Sequence, residues 1–351
     1  MLLNRKNTVD KNIKDTDISV VVQGAIDEIN TPICLNSIRK QLPNCEIILS
    51  TWDGSNVKRL NYDKVIFNKD PGNFDMSPHE KNNVERQIIS TVSGLKQSSR
   101  LYVLKIRSDI FLDHKGFIKY FNKFCNYDDE WHFLNRRIII PNMVTRDPRY
   151  WESPMCPSDW CSFGLREDML SLWDNNFLTE KDKYWFENKP KPELVKKFYS
   201  HLIARYNPEQ IIWIGFISKF KKIHADHMFD INNKSIEETL KSYANNLIIL
   251  SEKQFGIKFL KKMRIGADRW RVITYIDFLK IYNSFSNGRK YYFPINFQRY
   301  SLLKNFKESH KRLYPKFRKF DQRYIYWATE LTLMFPLLSK LAIPLLKKWN
   351  K

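Results

Sequence analysis

The sequence predicts an α/β fold, a mostly parallel sheet flanked by helices. Two observations carry this. Short β-branched or aliphatic runs alternate with stretches of helical spacing, the pattern of strands joined by crossover helices. Each run is also dense enough to be covered on both faces, as parallel strands are. At 351 residues, 43% hydrophobic and 15% aromatic, the chain can bury a substantial core.

The elements follow in order. Residues 1–17 read as a polar extension without the apolar region of a signal peptide. "DISVVVQGAI" contains the first strand, Ile18 to Val22. "TPICLNSIRKQL" predicts a helix with Thr31 as N-cap and Pro32 at its first position. "CEIILSTWDG" and "KVIFNKDPG" predict two further strands. "KNNVERQIISTVSGLKQ" spaces Val84, Ile88, Ile89, Val92 and Leu95 along one helical face. "YVLKIRSDIFL", residues 102–112, reads as one more strand, yet places Arg107, Ser108 and Asp109 where a covered strand should stay apolar. Residues 18–125 are thus a nucleotide-sized α/β region, and 126–300 the remainder of the same domain. "PMCPSDWCSFGLREDMLSLW" places Ser158 and Asp159 before an aromatic, glycine-containing turn, with a helix from Arg166. "RYNPEQIIWIGFI" puts Pro208, Glu209 and Gln210 in the first turn of another helix.

Ligands on open α/β sheets bind beyond the carboxyl ends of the strands. Four such ends carry Gln23-Gly24, Thr51-Trp52-Asp53, Asp70-Pro71-Gly72 and Arg107-Ser108-Asp109. Polar turns end most strands, so each alone says little; four together point to one binding edge. No GxGxxG turn, P-loop, HExxH or GxSxG is present. Five scattered cysteines without CxxC spacing read as reduced thiols. The pair His224 and His227 in "HADH" reads as a surface pair ahead of a zinc site.

An aspartate at a strand end beside basic residues suits diphosphate chemistry, where a departing pyrophosphate must be stabilised. Lys105, Arg107 and Asp109, with Asp113 nearby, are the right types. Asp109 is the expected ligand of a divalent ion, Mn²⁺ or Mg²⁺, with waters completing its shell. The usual pair of acids around one residue is incomplete, because Arg107 stands in place of the first; Arg107 substituting for part of the ion's charge is the other reading. Asp159, flanked by Trp160 and Phe163, is suited to a raised pKa and to general-base work, or to capping a helix. Glu209 suits either the same acceptor-side role or a favourable charge at a helix N-terminus.

"ISVVVQGAI", "EIILSTWDG", "KVIFNKDPG", "NNVERQIIST", "YVLKIRSDIFL", "PSDWCSFGL" and "NPEQIIW" occur in this order. Together they resemble the WavE lipopolysaccharide-synthesis family of bacterial glycosyltransferase-like proteins, over roughly residues 18–300. The resemblance implies a GT-A-like (Rossmann-like) nucleotide-sugar domain. It implies that Gln23, Gly24, Thr51 and Asp53 line the nucleoside pocket and that Asn83, Arg86 and Gln87 face the donor. Lys105, Arg107 and Asp109 would address the diphosphate, with Asp159 and Glu209 on the acceptor side. The expected reaction is sugar transfer from a nucleotide-sugar donor to a lipid-linked saccharide or to a lipopolysaccharide or capsule acceptor. A polyol-phosphate transferase using a CDP-linked donor, and a non-catalytic membrane- or polyanion-binding protein, are the alternatives.

The formal charge of +21, from 59 Lys and Arg against 38 acids, admits nucleic acid, an anionic membrane or a polyanionic substrate. Residues 301–351 carry twelve basic residues against three acids, beside the apolar "YIYWATELTLMFPLLSKLAIPLL". Glu330, Lys340, Pro336 and Pro344 disfavour a spanning helix, so the tail predicts in-plane association with an anionic membrane surface; an ordinary core helix is the competing reading. No nucleic-acid-binding module accompanies the charge, so nucleic acid is not an expected partner. The expected location is the cytosolic face of the inner membrane, held peripherally.

Overall fold

Strand β1, Ile18–Gln23, is buried along its whole length, its aliphatic residues covered on both faces and Ser19 and Gln23 hydrogen-bonded. In this computed structural model, residues 13–150, 153–175, 177–260 and 272–286 are described. The expected tail, 301–351, and most of the polar N-terminal extension lie outside them. β1 lies between β2 (Glu46–Trp52) and β6 (Tyr102–Arg107), parallel to both, and β3 (Lys64–Asn68) extends the sheet beyond β2. On the other side, β9 (Cys161–Leu165) runs antiparallel to β6 and to β8 (Ile138–Pro141), and β10 (Leu247–Leu250) lies parallel to β8. The order is β10-β8-β9-β6-β1-β2-β3, with β9 reversed. This is the expected mostly parallel sheet flanked by helices.

Among the helices, α1 (Asn30–Gln41) and α2 (Val84–Gln97) follow β1 and the hairpin of β4 (Phe74–Ser77) and β5 (Glu80–Asn82). α3 (Arg166–Trp173) follows β9; the short turns α4 (Glu180–Lys183), α5 (Trp185–Asn188) and α6 (Glu193–Phe198) lead to α7 (Pro208–Ile217) and α8 (Asn233–Asn246). The single turn α9 (Glu252–Phe255) follows β10, and α10 (Tyr275–Phe285) packs beside α8. Gly94 lets α2 lie directly on β1: a Cβ there would stand 2.3 Å from the Val21 side chain.

Three local expectations change. Helix α1 starts before Thr31, because the Asp27 carboxylate accepts hydrogen bonds from the Ile29 and Asn30 N–H groups (3.1 and 2.9 Å), while the Thr31 hydroxyl accepts one from the Asp27 N–H. The stretch 102–112 is two strands, not one. β6 ends at Arg107, and β7 (Ile110–Leu112) pairs with β11 (Ile257–Phe259) in a separate ribbon. Finally, "CSFGL" is a strand rather than a turn, so Asp159 precedes β9 and caps no helix. α7 does begin where expected. Asn207 is its cap, exchanging hydrogen bonds with Gln210.

At the amino edge of the sheet, Glu46 accepts hydrogen bonds from the Ser19 hydroxyl (2.5 Å) and the Ser99 N–H (2.9 Å) and pairs with Lys64 (2.7 Å). Burial opposes its charge, but these partners outweigh burial and hold its pKa near 2, against 4.5 for a free glutamate. A depressed carboxylate stabilises the fold above the unfolded pKa and loses that contribution as pH falls through the folded one. Stability is therefore expected to drop by on the order of 2 kcal/mol between about pH 4.5 and pH 2. Chemical denaturation across that range checks it, and Glu46→Gln should flatten the dependence.

Candidate active site

Register brings the strand tips together. Gln23 at the end of β1 pairs with Ser50 on β2 and with Arg107 on β6. The loops beyond are laced by the backbone: the Gly24 N–H donates to the Ser50 carbonyl (3.1 Å) and the Ser108 N–H to the Gln23 carbonyl (3.1 Å). Gly24 adopts φ 121°, a conformation that side chains rarely take, so the chain turns within reach of Ser108. The Gln23 amide oxygen accepts from the Ser90 hydroxyl of α2 (2.9 Å), which fixes it toward the interior. Thr51 is buried, its hydroxyl 3.2 Å from that of Ser55; Asp53 is exposed, its N–H donating to the Asn68 carbonyl (2.9 Å). Asn68 also donates to Ser50 and Thr51, tying the tip of β3 to that of β2.

Arg86 sits at the start of α2 and is held by Asp70 through two 2.6 Å hydrogen bonds, with a third to Asn83 (3.2 Å). Asn83 is exposed and Gln87 half-buried beside it. Arg86 thus ties the first turn of α2 to the loop after β3.

Lys105 and Arg107, two residues apart on β6, share a face but not a role. Arg107 clasps both oxygens of Asp109 (3.0 and 2.8 Å), and its guanidinium lies 4.5 Å from the Trp160 ring centre. Burial disfavours its charge, yet the Asp109 hydrogen bonds outweigh this and raise its pKa. Lys105 turns inward and is fully buried, its Nζ donating to the Asp159 carbonyl (2.5 Å) and lying 4.5 Å from the Trp173 ring centre. Burial pushes its pKa down to about 8, with the Asp159 charge opposing. Lys105 thus positions the segment that carries Asp159.

That segment is held in an unusual backbone. Val144 and Met155 both adopt positive φ (54°), and the Arg146 N–H donates to the Cys156 carbonyl (2.9 Å). The Thr145 hydroxyl accepts from the Ser158 N–H (3.0 Å), setting Asp159 next in line. Asp159 and Glu209, from β9's approach and the first turn of α7, share the wall of one small cavity with Ser158, Ser162, Trp173 and Trp213. Burial first, then the neighbouring Asp159 charge, push Glu209 up to about 7; Arg146 opposes them. A carboxyl raised towards neutrality beside a second carboxylate is a common acid–base arrangement. The sequence showed Asp159 and Glu209 separately; Arg146, Ser162 and Trp173 carried no signal, because distant segments make the cavity.

A divalent ion finds a poor donor set here. Both Asp109 oxygens are committed to Arg107, Asp113 beyond β7 pairs with Lys258 (2.8 Å), and no three His, Cys, Asp or Glu side chains converge among the described residues. As arranged, these residues do not fit a metal centre built from protein ligands. Nor do His224 and His227 converge: Nδ1 of His224 lies 2.6 Å from Glu238, whereas that of His227 accepts from the Phe229 N–H. No helix among the described residues is long and apolar enough to cross a membrane.

No curated protein matches the chain. Among solved structures, S. aureus TarS is 12% identical, with 77% of this chain and 42% of that one covered, at a TM-score of 0.31. This chain therefore spans less than half the length of that TarS chain. TarS 1–349 is 13% identical over 90% of this chain and 79% of that one (TM-score 0.32), and the same piece in complex with UDP is 13% identical over 77% and 70% (TM-score 0.32). The WavE lipopolysaccharide synthesis family model matches residues 18–311, most of the chain, and the protein belongs to that family.

Proposed function

We propose that the protein is a glycosyltransferase, in the hexosyltransferase class, acting in bacterial surface polysaccharide synthesis. It moves a sugar from a nucleoside-diphosphate donor to a lipid-linked saccharide or to a lipopolysaccharide or capsule acceptor. Family membership supports the pathway. The observation that carries the chemistry is the junction at Trp160, where the Arg107–Asp109 pair meets Asp159 and the cavity it shares with Glu209.

In this reading, the acceptor hydroxyl oxygen bonds to the anomeric carbon as the bond from that carbon to the diphosphate oxygen breaks. The bonding pair leaves with the nucleoside diphosphate, whose growing charge Arg107 meets. The hydroxyl proton passes to the Asp159–Glu209 pair. The tips around Gln23, Gly24, Thr51 and Asp53 would hold the nucleoside. Release of UDP, GDP or CDP from a panel of donors, with and without Mn²⁺, tests the proposal. Turnover of a nucleotide sugar supports it. Turnover of a CDP-linked polyol alone moves the donor class, and binding of no nucleotide overturns catalysis.

The basic, apolar tail is proposed to hold the enzyme on the cytosolic face of the inner membrane, where lipid-linked acceptors reside. Deleting residues 313–351 is expected to shift the protein from the membrane fraction to the soluble one. An unchanged distribution would make the tail an ordinary structural element.

A further inference from the structure

The cavity shared by Asp159 and Glu209 is about 10 Å³, room for about one water molecule. Four polar side-chain atoms on its lining residues have no hydrogen-bond partner among the described residues: Ser158 Oγ, Asp159 Oδ1, Ser162 Oγ and Trp173 Nε1. Their residues are deeply buried, at 5, 5, 2 and 1% exposure. Leaving one such group unsatisfied costs about 1–3 kcal/mol, so four around one space call for a shared partner. The set contains an obligate donor, the indole N–H, an acceptor, the carboxylate oxygen, and two hydroxyls able to do either. A water molecule can accept from the first and donate to the second; a cation would face the indole N–H with the wrong charge.

Lys105 and Arg107 both act on the Asp159 charge. Lys105 spends its short hydrogen bond on the Asp159 carbonyl, and Arg107 spends both of its bonds on Asp109. Glu209 faces Asp159, Arg146 and Glu80, with the Cys156 thiol and Tyr243 hydroxyl also close. Arg146 is the cation that opposes those acids at Glu209. Two carboxyls in one enclosed space do not both ionise readily, and their protons come off as properties of the pair.

We propose that this cavity holds one buried water, hydrogen-bonded by Trp173, Ser158, Ser162 and Asp159, and that Asp159 and Glu209 share one proton across it as a single acid–base unit. The catalytic use of that proton rests on the transferase reading; its existence does not. Ser158, Ser162 and Trp173 are then positioning residues.

Infrared titration of the full chain, without substrate, reads the shared proton directly. The wild type should lose a protonated-carboxyl band near pH 7. Asp159→Asn should move the Glu209 titration down, because the like charge is gone. Ser162→Ala, a small change at a buried hydroxyl, should move the wild-type midpoint upward, since the shared anion loses a donor. A high-resolution crystal structure should show one ordered peak within hydrogen-bond reach of Trp173 Nε1 and Asp159 Oδ1. A dry cavity, or a band that persists unshifted in Asp159→Asn, overturns the proposal. Neither result touches the donor screen, so the two readings fail separately.

Discussion

Glu209→Gln is expected to lower kcat/KM by about 10²–10⁴-fold, the usual contribution of a positioned general base. Asp159→Asn should fall in the same range. The double variant should be little worse than either single one, because groups that act as a unit lose their joint effect once. The wild-type rate should rise with pH through about 7, where burial and the Asp159 charge place the Glu209 titration. Stability should move the opposite way. A glutamate whose folded pKa exceeds the unfolded value destabilises the fold as pH rises from about 4.5 to about 7, since ionisation is easier in the unfolded chain. Glu209→Gln removes that cost. The inactive variant is therefore expected to melt above the wild type at pH 8, by an amount equivalent to on the order of 1–3 kcal/mol. A variant that is both active and less stable would show that Glu209 is structural.

The second large effect belongs to Arg107. Arg107→Ala should reduce turnover by about 10²–10³-fold, the range seen when one preorganised donor to a developing anion is removed. Lysine should not rescue it fully, because the two-pronged grip on Asp109 and the stacking on Trp160 both need the planar guanidinium. Asp109→Ala separates the possible roles: it frees the guanidinium while leaving its charge at the strand tip. Retained activity in Asp109→Ala, with loss in Arg107→Ala, assigns the diphosphate to arginine alone. Loss in both, with melting nearly unchanged, assigns the pair.

The strands that could be read were those whose own residues dictate them. Ile18–Gln23 and Glu46–Trp52 each carry a short aliphatic run, Val20–Val22 and Ile47–Leu49, dense enough for a covered strand, and Val84–Gln97 repeats its apolar residues at helical spacing. "CSFGL" misled because glycine and serine normally mark a turn, whereas here Gly164 packs closely against the Ile138 side chain of the neighbouring strand. The apparent single strand at 102–112 was divided by a partner far along the chain, Ile257–Phe259, which takes up Ile110–Leu112. The site was legible in the same uneven way. Arg107 and Asp109 stood out because charge at the end of an apolar run is expensive unless it is used or paired. Lys105 looked equivalent to Arg107 by spacing, yet it turned into the core, because the carbonyl of Asp159 offered its ammonium a partner there.

The sequence by itself determined the layered α/β class, the polar strand tips and the two isolated acids, because periodicity and charge placement are local properties. Only the tertiary structure decided that β9 runs backwards beside β6, and that this reversal delivers Asp159 to Glu209 around one small cavity. The physical reason is that burial and like-charge proximity, which set the behaviour of those acids, exist between segments distant in sequence and nowhere along the chain itself.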